Sequence, residues 1–127
     1  LNAPGLPAES RAFFEAFGAK YGYSPAAGRA APARVIEILN TLDACLAEQE
    51  SRGRRYFIGD EPSALDIYWA GVSHLIEPLP APDCPMLEDF RPMYKNIDAD
   101  VAAAASPRLM THREFIYREH LGLPMEL

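Results

Sequence analysis

The chain holds 127 residues, enough for one ordinary domain with a core and too few for two. Hydrophobic residues make up 49% and charged residues 24%, a globular composition that argues against a disordered or fibrous chain. The formal net charge of −6 repels phosphate backbones, so no nucleic acid partner is expected.

Residues 1–8, rich in Pro, Gly and Ala, read as a linker or loose terminus. The start, Leu1-Asn2-Ala3-Pro4, lacks the charged and apolar regions of a signal peptide, and no apolar run approaches the roughly 20 residues that span a bilayer. A cytoplasmic protein with no membrane partner is expected. The first residue is Leu rather than Met, which suggests processing or excision from something longer. From Glu9 to about Tyr21, the residues Phe13, Phe14, Phe17 and Tyr21 recur at helical steps and form an aromatic stripe. Gly22 and the Pro25-to-Pro32 stretch are expected to end that helix. Between Ala33 and Ser51, Val35, Ile38, Leu39, Leu42, Cys45 and Leu46 mark the clearest amphipathic helix. The basic turn Ser51-Arg52-Gly53-Arg54-Arg55 suits a helix C-terminus, where cations complement the dipole, and no ligand is assigned to it.

Leu65, Tyr68, Trp69, Val72, Leu75 and Ile76 trace a wide apolar face over about Ala64 to Glu77, which predicts a largely buried helix stopped by Pro78 and Pro80. After a proline-rich loop, helical composition resumes from Met86 to about Ala105, and a last helix is predicted from about Pro107 to Leu121, ending at Gly122. Tyr56-Phe57-Ile58 is the only β-like triplet and is too short for a strand. The expected fold class is all-α, a compact bundle of about five helices.

Catalytic and metal-binding constellations find little support. His112 and His120 lie too far apart for the three- or four-residue spacing of helical metal ligands, so no metal is expected. His74 reads as a hydrogen-bonded interior histidine. Ser24, Ser73 and Ser106 lack the turn that exposes a nucleophile, and Gly18, Gly22 and Gly28 do not form a phosphate loop. Cys45 and Cys84 read as reduced thiols.

The most informative segment is Tyr56 to Ala70. In it Ser63 and Asp66 have the spacing of a capping box: the serine at the N-cap faces the amide of Asp66, and the carboxylate reaches back to the amide of Ser63. Pro62 and Ile67 flank it as a staple. This pattern of a Gly, a short turn and Ser-x-x-Asp resembles the opening of the central helix in the C-terminal domain of glutathione transferases. The order of helices is similar too, as is the tail from His112 to Pro124. The resemblance implies a glutathione S-transferase C-terminal-like domain over residues 1–127, with 1–8 as linker from a thioredoxin-like N-terminal domain absent from this chain. It also implies that the full-length protein is a homodimer conjugating glutathione, as co-substrate, to hydrophobic electrophiles, with no further cofactor. This chain would then hold no catalytic residue and would be inactive alone. Phe13, Phe14, Phe17 and Tyr21, together with Leu121 to Leu127, would wall the co-substrate pocket, and Ser63 and Asp66 would be structural. The alternative is a stand-alone, non-catalytic helical protein-interaction domain. Removing one domain uncovers the surface it protected, so self-association is also expected.

Overall fold

The computed structural model describes residues 8–86, 91 and 98–125. Among them the chain is all-helical, with no strand. The helices are α1 (Ala8–Lys20), α2 (Pro25–Ser51), α3 (Ala64–Val72), α4 (Ala99–Ala104) and α5 (Pro107–Ile116). A 3-10 turn, Ser73–Leu75, extends α3, and a π-helical turn, Tyr117–Leu121, extends α5. The chain divides into two compact units, residues 1–32 and residues 33–127.

In the first unit, Tyr23 lies close to two glycines. A Cβ on Gly18 would stand 3.2 Å from the Tyr23 Cβ, and one on Gly28 would stand 3.0 Å from the Tyr23 ring. A side chain at either position would require Tyr23 to give way by a few tenths of an ångström. The Pro25-to-Pro32 stretch was expected to break helix, yet α2 begins at Pro25 and carries Pro32 inside it. Proline at the first helical position lacks only an amide that has no intrahelical partner there. Ser24 supplies the cap, its hydroxyl accepting from the Ala27 amide at 3.1 Å.

The second unit has two packed clusters. Leu39, Leu46, Phe57, Trp69, Val101 and Leu109 form one, and Ala70, Leu79, Cys84, Ile116 and Tyr117 form the other. Burying a side chain such as Phe57 contributes about 1.5–3 kcal/mol. The Trp69 indole N–H, which must find an acceptor when buried, donates to the Leu109 carbonyl at 2.9 Å and ties α3 to α5. Cys45 and Cys84 are free thiols, as expected.

Two predicted helices are corrected by the structure. α3 is buried on one side only: Asp66, Trp69 and Ala70 are buried, while Tyr68 is 71% exposed, Val72 54% and Leu75 64%. The helix predicted from Met86 to Ala105 is interrupted at Asp98, whose φ of −56° and ψ of 131° are not helical. There the Asp98 carboxylate caps α4 by accepting from the amides of Asp100 and Val101, a cap that the apolar spacing concealed. Most of that predicted stretch, residues 87–90 and 92–97, lies outside the described residues. The last helix runs from Pro107 to Leu121 as expected, changing to π geometry at Tyr117, and stops at Gly122, whose φ of +84° lies in the left-handed region that glycine enters without strain.

Candidate functional site

The start of α3 is built around one carboxylate. Asp66 is fully buried, and four donors converge on it. Its Oδ1 accepts from the Phe57 amide at 3.0 Å and from His112 Nε2 at 2.8 Å. Its Oδ2 accepts from the Ser63 amide at 2.8 Å and from the Ser63 hydroxyl at 2.6 Å. The capping box expected from the sequence is present, with its shortest bonds running into the carboxylate, while the Asp66 amide bonds the Ser63 carbonyl at 3.1 Å. Burial by itself would raise the Asp66 pKa. Hydrogen bonds from the Ser63 hydroxyl, the Phe57 and Ser63 amides and His112 outweigh it and hold the group below the ordinary carboxylate value.

An ionised Asp66 only accepts, so His112 Nε2 carries the proton. Burial lowers the His112 pKa, and its bond to Asp66 offsets that in part without restoring the ordinary value. The pair therefore rests as carboxylate and neutral imidazole. The link joins α3 to α5 across 46 positions. Sequence spacing carries no signal for such a partner. Nothing in the arrangement offers a reacting atom: both oxygens are occupied and out of solvent, which fits the structural role assigned to Ser63 and Asp66.

A second buried polar group was not anticipated. Arg113 is 4% exposed, and its guanidinium donates to the Glu77 carbonyl at 2.6 Å while its Nε has no partner. His74 Nε2 lies 3.0 Å from the Tyr117 hydroxyl, which bears out the expected interior histidine, but its Nδ1 is also without a partner. Burial, then the charge of Arg113, lowers the His74 pKa. Burial likewise lowers Arg113 and raises Tyr117.

The residues expected to wall a co-substrate pocket are exposed. Phe13 is 64%, Phe17 52% and Tyr21 69% exposed. Their rings follow one another along α1, Phe13 to Phe17 at 6.1 Å and Phe17 to Tyr21 at 4.8 Å. The side chain of Phe14 lies outside the described residues. Of the tail, Leu123 and Met125 pack on the second cluster, and the Met125 amide donates to the Asp83 carbonyl at 2.8 Å. Tyr117, Leu121 and the residues up to Met125 line a concavity of about 700 Å³. Residues 126 and 127 lie outside the described residues.

His112 and His120 do not converge: His112 bonds Asp66, whereas His120 Nε2 lies 3.1 Å from the Tyr56 hydroxyl. Among the described residues no group of His, Cys, Asp or Glu is placed to hold a metal ion, and no helix is long and apolar enough to cross a membrane. Comparison of the chain with protein-family models, with curated proteins and with solved structures finds no match.

Proposed function

We propose that the chain is the helical half of a cytoplasmic, homodimeric glutathione-transferase-like protein and forms the hydrophobic co-substrate side of its conjugation site. The observation that supports this reading most is the Ser63 and Asp66 cap, because the resemblance rests on that motif and the buried carboxylate fixes the turn before α3 to the helix itself. In such a protein the glutathione thiolate attacks an electrophilic carbon, a sulfur–carbon bond forms and the leaving group departs. A separate thioredoxin-like domain stabilises the thiolate, and this chain offers the apolar wall that holds the electrophile in reach. The exposed rings of Phe13, Phe17 and Tyr21 suit that wall.

The test is calorimetric titration of glutathione into the 127-residue chain beside an intact-mass measurement of the native protein. The expected outcome is no binding to the chain alone and a larger native mass that includes a thioredoxin-like segment. Glutathione binding by the isolated chain, or a native mass equal to it, would overturn the proposal. The exposure of Tyr68 and Val72 on α3 and of Leu75 in the turn that extends it favours a second reading, a non-catalytic interaction domain. That reading predicts a stable protein complex whose formation is indifferent to glutathione.

A further inference from the structure

Arginines from two distant parts of the second unit meet at one cleft of about 410 Å³. The end of α2 contributes Glu50, the loop after it contributes Arg54 and Arg55, and α5 contributes Arg108, Thr111 and Phe115. Each guanidinium is anchored and keeps donors to spare. Arg54 Nε lies 3.0 Å from an Asp60 oxygen. Arg108 donates from Nε to Glu50 at 2.9 Å and from one terminal nitrogen to both Asp43 oxygens, at 3.0 and 2.9 Å.

Arg55 is anchored differently. Its guanidinium lies over the Phe115 ring, 3.9 Å from the centroid, and among the described residues it has no carboxylate partner. A stacked guanidinium uses its face and leaves the N–H donors on its edge free. The ring beneath is itself braced, with Tyr56 at 5.6 Å and His120 at 5.8 Å between centroids. A positioned fork loses less entropy on taking a ligand than a freely moving one. Thr111 is exposed and its hydroxyl has no protein partner among the described residues.

We propose that this cleft binds a small organic oxyanion, a phosphate ester or carboxylate, gripped on two oxygens by Arg55, with Arg54, Arg108 and Thr111 supplying further donors. Three guanidinium groups line it against the single carboxylate of Glu50; Asp60 and Asp43, which anchor Arg54 and Arg108, stand outside the lining. Arg54 and Arg108 are thus balanced by Asp60, Asp43 and Glu50, and Arg55 is the cation of the cleft without a carboxylate partner among the described residues; the first turn of α5 adds the positive end of its dipole. The volume lies within the roughly 300–1,000 Å³ of small-molecule sites and exceeds what a bare phosphate fills, so the ligand carries a body as well as an anionic group. Concentration of the basic groups in one concavity, rather than along a stripe, favours a small molecule over a polyanion. The site stands on this geometry alone and is independent of any glutathione chemistry.

Nuclear magnetic resonance titration of the full chain with inorganic phosphate and, separately, with succinate tests it, ionic strength being held constant with sodium chloride. The expected result is a saturable shift at Arg55, Arg108 and Thr111 with at least one of the two anions. Saturation by phosphate alone assigns a phosphate ester, and by succinate alone a carboxylate. Arg55→Ala should weaken binding about ten- to a hundred-fold. Arg55→Lys, which keeps the charge and loses the fork, should weaken it nearly as much. Glu50→Gln should tighten it by removing the opposing charge. Shifts no larger than those given by sodium chloride would overturn the proposal, as would an Arg55→Ala chain that binds as tightly as its parent. Arg55 is exposed and its truncation loses only the contact with Phe115, so the melting curve should shift little; if the Ala chain unfolds, an Arg55→Lys chain that binds as tightly as its parent is the overturning result.

Discussion

At the scale of single residues, Asp66 is the position where one change should do the most damage. Asp66→Asn keeps the shape but turns one acceptor into a donor that faces the Ser63 amide and hydroxyl, both 2.8 Å or less from Oδ2. A buried donor left without an acceptor costs about 1–3 kcal/mol, and charge is lost as well, so urea unfolding should show destabilisation of about 2–4 kcal/mol. Ser63→Ala removes one hydroxyl and leaves the amide bond intact, and should cost about 1 kcal/mol. Equal losses from the two variants would mean that the carboxylate is no more than an ordinary cap. The Ser63 and Asp66 pair was legible because a capping box is a local signal. His112 and the Phe57 amide were not, because their bonds to Asp66 are set by how the helices pack. Arg54 and Arg55 read as a basic turn at a helix C-terminus for the same reason: spacing places them at a helix end, and only packing brings them to Arg108.

At the scale of elements, the sequence was informative where local chemistry and burial agreed and misleading where they competed. The spacing from Val35 to Leu46 located the middle of α2, but Pro32 hid the turns before it. A proline at that depth lacks the amide that would bond the Gly28 carbonyl, and its ring crowds that carbonyl. Pro32→Ala restores the donor and removes the crowding. Stability should rise by about 1–3 kcal/mol, read as a higher melting temperature together with slower amide exchange over residues 29–36. A lower melting temperature would show instead that the proline stiffens the unfolded chain by more than it strains the helix. The one-sided burial of α3 has a related cause. Apolar periodicity reports which residues avoid water, not what covers them, and Tyr68, Val72 and Leu75 remain exposed.

At the scale of the whole molecule, the buried histidines make stability depend on pH well above the carboxylate range. Burial lowers both His74 and His112, and the neighbouring Arg113 lowers His74 further. With folded values below the unfolded value of about 6.5, the unfolded chain binds more protons as pH drops. The contribution of the neutral histidines is complete above about pH 6.5 and is lost as pH falls toward their folded values. Each group changes stability by at most about 1.4 kcal/mol per pH unit in that window. Asp66 has the same sign lower down: its folded value lies below the unfolded value of about 3.9, so its contribution holds above that pH and is lost as pH falls through the folded value. The two histidines should not behave alike. A proton on His112 meets the Asp66 carboxylate, with Glu50 also favouring the charge and Arg55 opposing it, whereas a proton on His74 meets the Arg113 guanidinium. Urea midpoints should therefore hold from about pH 8 to about pH 6.5 and fall from there toward about pH 5, and His74→Gln should flatten that fall more than His112→Gln does. If the midpoint holds flat down to about pH 5, the interior around His74 accepts the proton, and Arg113 is screened from it more effectively than their burial implies.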